Sequence, residues 1–272
     1  MSEPQSIEIA GFPTLYAGAE GKRRPVPLVF LHGLWSVPVF FAPYLRFFSS
    51  AGFQCYAPAR RGRLGVPPEH GRGVRFADFV DDSLLVLDAI GEAAAVVGWS
   101  LGGLVAQKVA EAQCCRAAVF VAPVAPRDVR TLPRLASLPA YIRHMPAVLL
   151  GRPFLFTYGN AARTLLNRVG ADDRQRLYDA MVPDSGIVAR EFTFLGVPVD
   201  AARVECPVLC VVGTDDNITP ARSVRQIARK HSAPLLEYPR HGHWLIEEPG
   251  WEAIAQDVLD WIEKIVLSTT EA

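Results

Sequence analysis

The hexapeptide Gly98-Trp99-Ser100-Leu101-Gly102-Gly103 sets a serine between glycines at G-x-S-x-G spacing, after the apolar run Ala94 to Val97 and before the helix-forming stretch Leu104 to Ala110. A strand that turns sharply into a helix holds such a serine in a strained conformation. It needs glycine at the flanks because side chains there would strike neighbouring backbone. Ser100 then stands at a helix N-terminus, where the N–H of Leu101 and the positive end of the helix dipole face a developing oxyanion. A serine hydroxyl attacks only when a base takes its proton and a carboxylate holds that base in the right tautomer. The chain supplies both downstream. Asp215 and Asp216 follow the apolar run Val208 to Val212, and His241 and His243 follow the weaker run Leu235 to Tyr238. Ser, Asp, His is the chain order used on open α/β sheets. The two histidines have no third ligand near them, which argues against a metal site, and the chemistry requires no cofactor.

These groups meet only on a scaffold that gathers distant loops. Besides the runs already named, Pro27 to Leu31, Phe53 to Ala57 and Ala118 to Val121 read as short buried strands, each ending in a loop with Gly, Pro or a polar group. Between the runs lie segments of helical period. Phe76 to Ile90 puts Phe76, Val80, Leu84 and Leu87 on one stripe, and Trp251 to Ile265 does so with Trp251, Ile254, Val258, Ile262 and Ile265. The alternation predicts an α/β fold, a mostly parallel central sheet flanked by helices, with its site at the carboxyl ends of the strands. It stops between Arg127 and Arg203, where several prolines cut the chain into short amphipathic pieces that keep large apolar residues. The expected organisation is a core of residues 1–126 and 204–272 with a helical cap or lid over 127–203.

Length and composition suit that organisation. The chain has 272 residues, 50% of them hydrophobic and 21% charged, enough apolar content to bury a full core. The 28 Lys plus Arg balance 28 Asp plus Glu, so no global field draws the protein to nucleic acid or an anionic membrane, and neither is expected as a partner. The polar start Met1-Ser2-Glu3-Pro4-Gln5 lacks the pattern of an export signal, and no apolar stretch reaches the roughly 20 residues of a membrane span, so a soluble cytoplasmic protein is expected. Cys55, Cys114, Cys115, Cys206 and Cys210 have no metal-ligand spacing and read as buried reduced thiols.

Taken together, the elbow, the acid loop, the histidine loop and a fourth motif resemble the α/β-hydrolase family over nearly the whole chain. His32-Gly33-Leu34-Trp35 resembles the family's oxyanion turn, which implies that the N–H of Leu34 joins that of Leu101. Gly213-x-x-Asp216-x-x-x-Pro220 resembles the acid loop and favours Asp216 over Asp215. Gly242-His243-Trp244 followed by Glu247-Glu248-Pro249 resembles the histidine loop and favours His243 over His241. One motif departs from the family's pattern. Where relatives read D-x-R-G-x-G, this chain has Ala59-Arg60-Arg61-Gly62-Arg63-Leu64-Gly65, so an acidic structural partner is missing.

The expected chemistry is acyl transfer: Ser100 as nucleophile, His243 as base and Asp216 as orienting acid, with Trp35, Trp99 and Trp244 lining the substrate pocket. A small-molecule carboxylic ester of moderate hydrophobicity is the expected substrate. The elbow is also similar to that of the esterase that demethylates pimeloyl-carrier protein, which suggests a carrier-linked or CoA-linked methyl ester or thioester; Arg130, Arg134 and Arg143 converging at the pocket mouth would favour it. A C–C bond hydrolase and a non-catalytic ligand receptor are the remaining alternatives. The oligomeric state is not legible in the sequence.

Overall fold

In the computed structural model, which describes residues 3–112 and 114–268, the strand runs assemble into one eight-stranded sheet among the described residues. A hairpin, β1 (Gln5–Ile9) and β2 (Phe12–Ala17), is antiparallel and joins the sheet edge against β4 (Cys55–Pro58). The other strands, β3 (Leu28–Leu31), β5 (Ala95–Trp99), β6 (Ala117–Val121), β7 (Val208–Gly213) and β8 (Leu235–Tyr238), run parallel with β4 in the order β4-β3-β5-β6-β7-β8. The sequence reading has no strand where β1 and β2 lie. β1 is an edge strand with three of its five residues exposed, so it needs no apolar run.

The central strands are buried on both faces and alternate between two cores. Leu28 and Phe30 of β3 face one core, with α1 (Ala42–Ser50) and α9 (Trp251–Ser268); Val29 and Leu31 face the other, with α2 (Phe76–Ile90), α3 (Leu101–Glu111) and α8 (Ala221–Lys230). The stripe expected on α9 is the one it packs, since Ile254, Val258 and Ile262 are buried. On α2 the buried face turns slightly away from the expected one: Phe79 and Val86 join Phe76 and Leu87 inside, while Val80 and Leu84 are half-buried. Between β6 and β7 the chain forms the short helices α4 (Leu138–Leu149), α5 (Tyr158–Arg163), α6 (Ala171–Asp179) and α7 (Gly186–Arg190). Pro139 stands in the first turn of α4, where its missing N–H leaves no bond unmade.

The cysteines correct the expectation. Cys55 and Cys210 are buried, but Cys114 is exposed, and the half-buried Cys115 and Cys206, just before β6 and β7, bring their sulfurs to 3.6 Å. Sequence spacing could not reveal that pair, because neighbouring parallel strands bring together residues 91 positions apart. Among the described residues, no helix is long and apolar enough to cross a membrane.

Candidate active site

The strand order reverses between β3 and β5, so the loops after these strands diverge and leave a crevice at the carboxyl edge. Ser100 stands there at the β5–α3 turn with φ 58° and ψ −121°, a left-handed conformation that favours glycine. The turn needs its glycines because the backbone closes on itself. A Cβ on Gly98 would lie 2.2 Å from the carbonyl oxygen of Gly102, and one on Gly102 would lie 1.9 Å from that of Leu31.

His243 Nε2 lies 2.9 Å from Ser100 Oγ, and His243 Nδ1 lies 2.7 Å from Asp216 Oδ2. The network assigns the proton to Nδ1, donating to Asp216, and leaves Nε2 to accept from the serine. Asp216 cannot swing: its Oδ1 accepts the N–H groups of Ile218 and Thr219 at 2.7 and 2.8 Å, and its Oδ2 accepts the Thr219 hydroxyl at 2.6 Å. Asp215 turns away to an ion pair with Arg168. His241 likewise faces elsewhere, toward Glu248 at 2.9 Å. Glu248 is buried beneath the histidine loop and accepts the Gly242 N–H on both oxygens, at 2.9 and 3.1 Å; burial pushes its carboxyl up to about 7.

Leu34 and Leu101 line the same cavity as Ser100. The turn that carries Leu34 passes so close that a Cβ on Gly33 would lie 3.0 Å from Ser100 Cβ. The carbonyls of His32 and Gly33 each accept an N–H of Arg60 at 2.7 Å, and the Trp35 N–H donates to Asp184 Oδ2 at 3.0 Å. Asp184 is fully buried and pairs with both Arg60 and Arg63. Asp184, from the segment between β6 and β7, thus gives Arg60 an acidic partner that its own motif does not contain. Arg61 pairs separately with Asp78 and Asp82 of α2. Burial pushes His32 well below its usual range, with the charges of Arg60 and Arg63 adding to it, so its ring is neutral. Its Nδ1 lies 3.1 Å from the Gly33 oxygen and donates to it.

Above the serine opens a cavity of about 420 Å³. Trp35, Met145, Phe156 and Phe192 contribute to its apolar wall, and no lining residue carries a charge. Tyr141 brings a hydroxyl, which burial and the charge of Asp216 push up to about 12, so it is protonated at neutral pH. Trp35 and Trp99 line the cavity as expected, but Trp244 does not: it is buried edge-on against Trp99 and Phe40. Trp99 instead ties the two loops together, its indole N–H donating to the His243 carbonyl at 2.9 Å. None of Arg130, Arg134 and Arg143 lines the cavity, and Arg134 donates at 2.6 Å to the Thr214 carbonyl.

Sequence reasoning missed Arg60, Asp184, Thr219 and Glu248. Thr219 and Glu248 lie inside motifs already singled out, so a search for donors and acceptors around each loop could have found them. Asp184 carries no such signal, standing 149 residues from the turn it holds.

Residues 28–256 match the profile of the alpha/beta hydrolase family. No curated protein matches the chain in sequence. Among solved structures, it is similar to a monoacylglycerol lipase of Paleococcus ferrophilus, with TM-score 0.73 at 21% identity, covering 94% of this chain and 98% of the other. A monoglyceride lipase from Saccharomyces cerevisiae gives TM-score 0.73 at 16% identity, over 97% and 96% of the two chains. A meta-cleavage product hydrolase from Pseudomonas fluorescens gives 0.68 at 17%, over 96% and 98%.

Proposed function

Because the chain belongs to the alpha/beta hydrolase family, we propose that it is a serine hydrolase that cleaves carboxylic esters of neutral, moderately hydrophobic acids. The observation that carries this reading is the Ser100–His243 contact of 2.9 Å at an uncharged, mostly apolar cavity. Ser100 Oγ attacks the acyl carbonyl while His243 Nε2 takes its proton, and Asp216 orients the ring and stabilises its charged form. The N–H groups of Leu34 and Leu101 receive the charge that develops on the carbonyl oxygen. Collapse of the tetrahedral intermediate passes the proton from His243 to the leaving alcohol and leaves an acyl group on Ser100. Water, deprotonated by His243, then releases the acid and restores the serine. Residues 127–203 serve as the cap, whose apolar residues close the cavity over the acyl group.

The wall favours a neutral acyl chain over one that carries its own charge, since none of the residues lining the cavity is charged. Two of the similar structures are named as lipases of monoacylglycerols, in keeping with ester chemistry. A p-nitrophenyl ester series from acetate to palmitate, assayed with the wild type and Ser100→Ala, tests the reading. A chain-length optimum and an acyl-enzyme burst, both lost in the variant, are the expected result. Turnover that survives Ser100→Ala overturns the nucleophile. No turnover by the wild type moves the reading to C–C bond cleavage or to a ligand receptor.

A further inference from the structure

The Gly33–Leu34 peptide joins two facts that stand apart in the chain. Its carbonyl oxygen accepts an Arg60 Nη2–H at 2.7 Å and the His32 Nδ1–H at 3.1 Å, which occupies both lone pairs. Its other end is the Leu34 N–H. A trans peptide is planar with C=O and N–H pointing oppositely, so whatever fixes the Gly33 oxygen also aims the Leu34 N–H. The next peptide is pinned as well, because the Trp35 N–H donates to Asp184 Oδ2 at 3.0 Å. Trp35 itself has φ 60°, a left-handed conformation that a bulky residue keeps only when its surroundings hold it.

The holding groups form one buried assembly. Arg60 also donates to the His32 oxygen at 2.7 Å, stacks 4.0 Å over the Phe79 ring and lies 3.4 Å from Asp184. Burial lowers its guanidinium to about 10, which still leaves it cationic at neutral pH. Arg63 pairs with the same Asp184 and donates to the Ser36 oxygen at 3.1 Å. A cation bonded to a peptide oxygen also polarises that peptide and makes its N–H a stronger donor.

We propose that Arg60, anchored by Asp184 from the segment between β6 and β7, is the positioning residue of the oxyanion site: it aims and polarises the Leu34 N–H through the Gly33 carbonyl. This rests on the ester-hydrolase reading. It adds a link that the two oxyanion donors alone do not contain: an acid from the segment that walls the cavity sets one donor's direction. Arg60 touches no reacting atom and acts only through the turn.

The test compares wild type, Arg60→Lys, Arg60→Gln and Asp184→Asn in two measurements, kcat and KM for a p-nitrophenyl ester and the Ki of an alkyl trifluoromethyl ketone. The ketone's hemiketal oxyanion needs the same two N–H groups. Loss of one oxyanion donor lowers kcat by about 10²- to 10³-fold. Arg60→Gln is expected to lose on the order of 10²-fold in kcat, with ketone affinity falling in parallel and KM staying within about twofold. Arg60→Lys keeps the charge but loses the two-pronged grip, so it falls between Gln and wild type. Asp184→Asn keeps an acceptor for the Trp35 N–H and loses the anchor, with a smaller drop in the same direction.

Melting curves accompany each variant. A purely structural role lowers the melting temperature while kcat per folded molecule and Ki stay within about twofold of wild type, and that result overturns the proposal. If Arg60→Gln does not fold, Arg60→Lys and Asp184→Asn decide by the same two numbers. A wild type that neither turns over esters nor binds the ketone overturns the ester-hydrolase reading and this proposal with it. An active wild type with unaffected variants overturns this proposal alone.

Discussion

Asp215 and Asp216 are neighbours with opposite surroundings. Asp216 is fully buried, accepts four donors and faces His243, whereas Asp215 sits at the surface beside Arg168. An Asp216→Asn change keeps the shape but reverses the hydrogen-bond polarity toward His243 Nδ1, which stabilises the wrong tautomer. The expected loss is about 10⁴-fold in kcat. Asp215→Asn removes an exposed ion pair and is expected to stay within about tenfold. Equal losses in the two variants would put the orienting role elsewhere. At this scale the elbow that carries Ser100 was legible because its spacing reports backbone crowding, and the clashes that a Cβ would make at Gly98 and Gly102 are that crowding. Choosing between the aspartates needed the resemblance. Trp244 was misjudged because adjacency in sequence says nothing about which side of a loop a side chain takes.

At the scale of elements, the histidine loop depends on a carboxyl beneath it. Glu248 follows His243 by five residues, is buried, and holds the Gly242 N–H. Folded, its carboxyl keeps its proton to about pH 7; unfolded, it releases it near the ordinary value of 4.5. The unfolded state binds fewer protons through that window, so this group's contribution to stability falls as pH rises from 4.5 to about 7 and is constant outside it. Glu248→Gln keeps an acceptor for Gly242 and cannot ionise. Its melting temperature relative to wild type is expected to climb between about pH 5 and about pH 8. Parallel melting curves across that range would show that Glu248 is not the titrating group. The parallel strands and both long helices were readable because burial on two faces or on one stripe imposes a composition. The β1–β2 hairpin was not, since an edge strand needs only a backbone partner and a turn, here Ala10 and Gly11 with φ 52° and 81°.

For the molecule as a whole, the cavity joins the sheet's carboxyl edge to the segment between β6 and β7. Met145 of α4 lines it, so Met145→Trp fills part of the space without touching Ser100 or His243. Rates on long acyl esters are expected to fall by about tenfold or more relative to acetate, moving the optimum to shorter chains. An unmoved optimum in the p-nitrophenyl ester series would place the acyl group elsewhere. The sequence by itself determined the sheet's parallel core, the elbow and the serine, aspartate, histidine order, because each is written in local pattern: period, glycine spacing and the residue types the chemistry needs. Only the tertiary structure decided the wall of the cavity, the Cys115–Cys206 approach and the Asp184 anchor. Those depend on which distant segments meet. A buried charge such as Asp184 is stable only where Arg60, Arg63 and the Trp35 N–H converge on it, and that convergence exists in the folded chain alone.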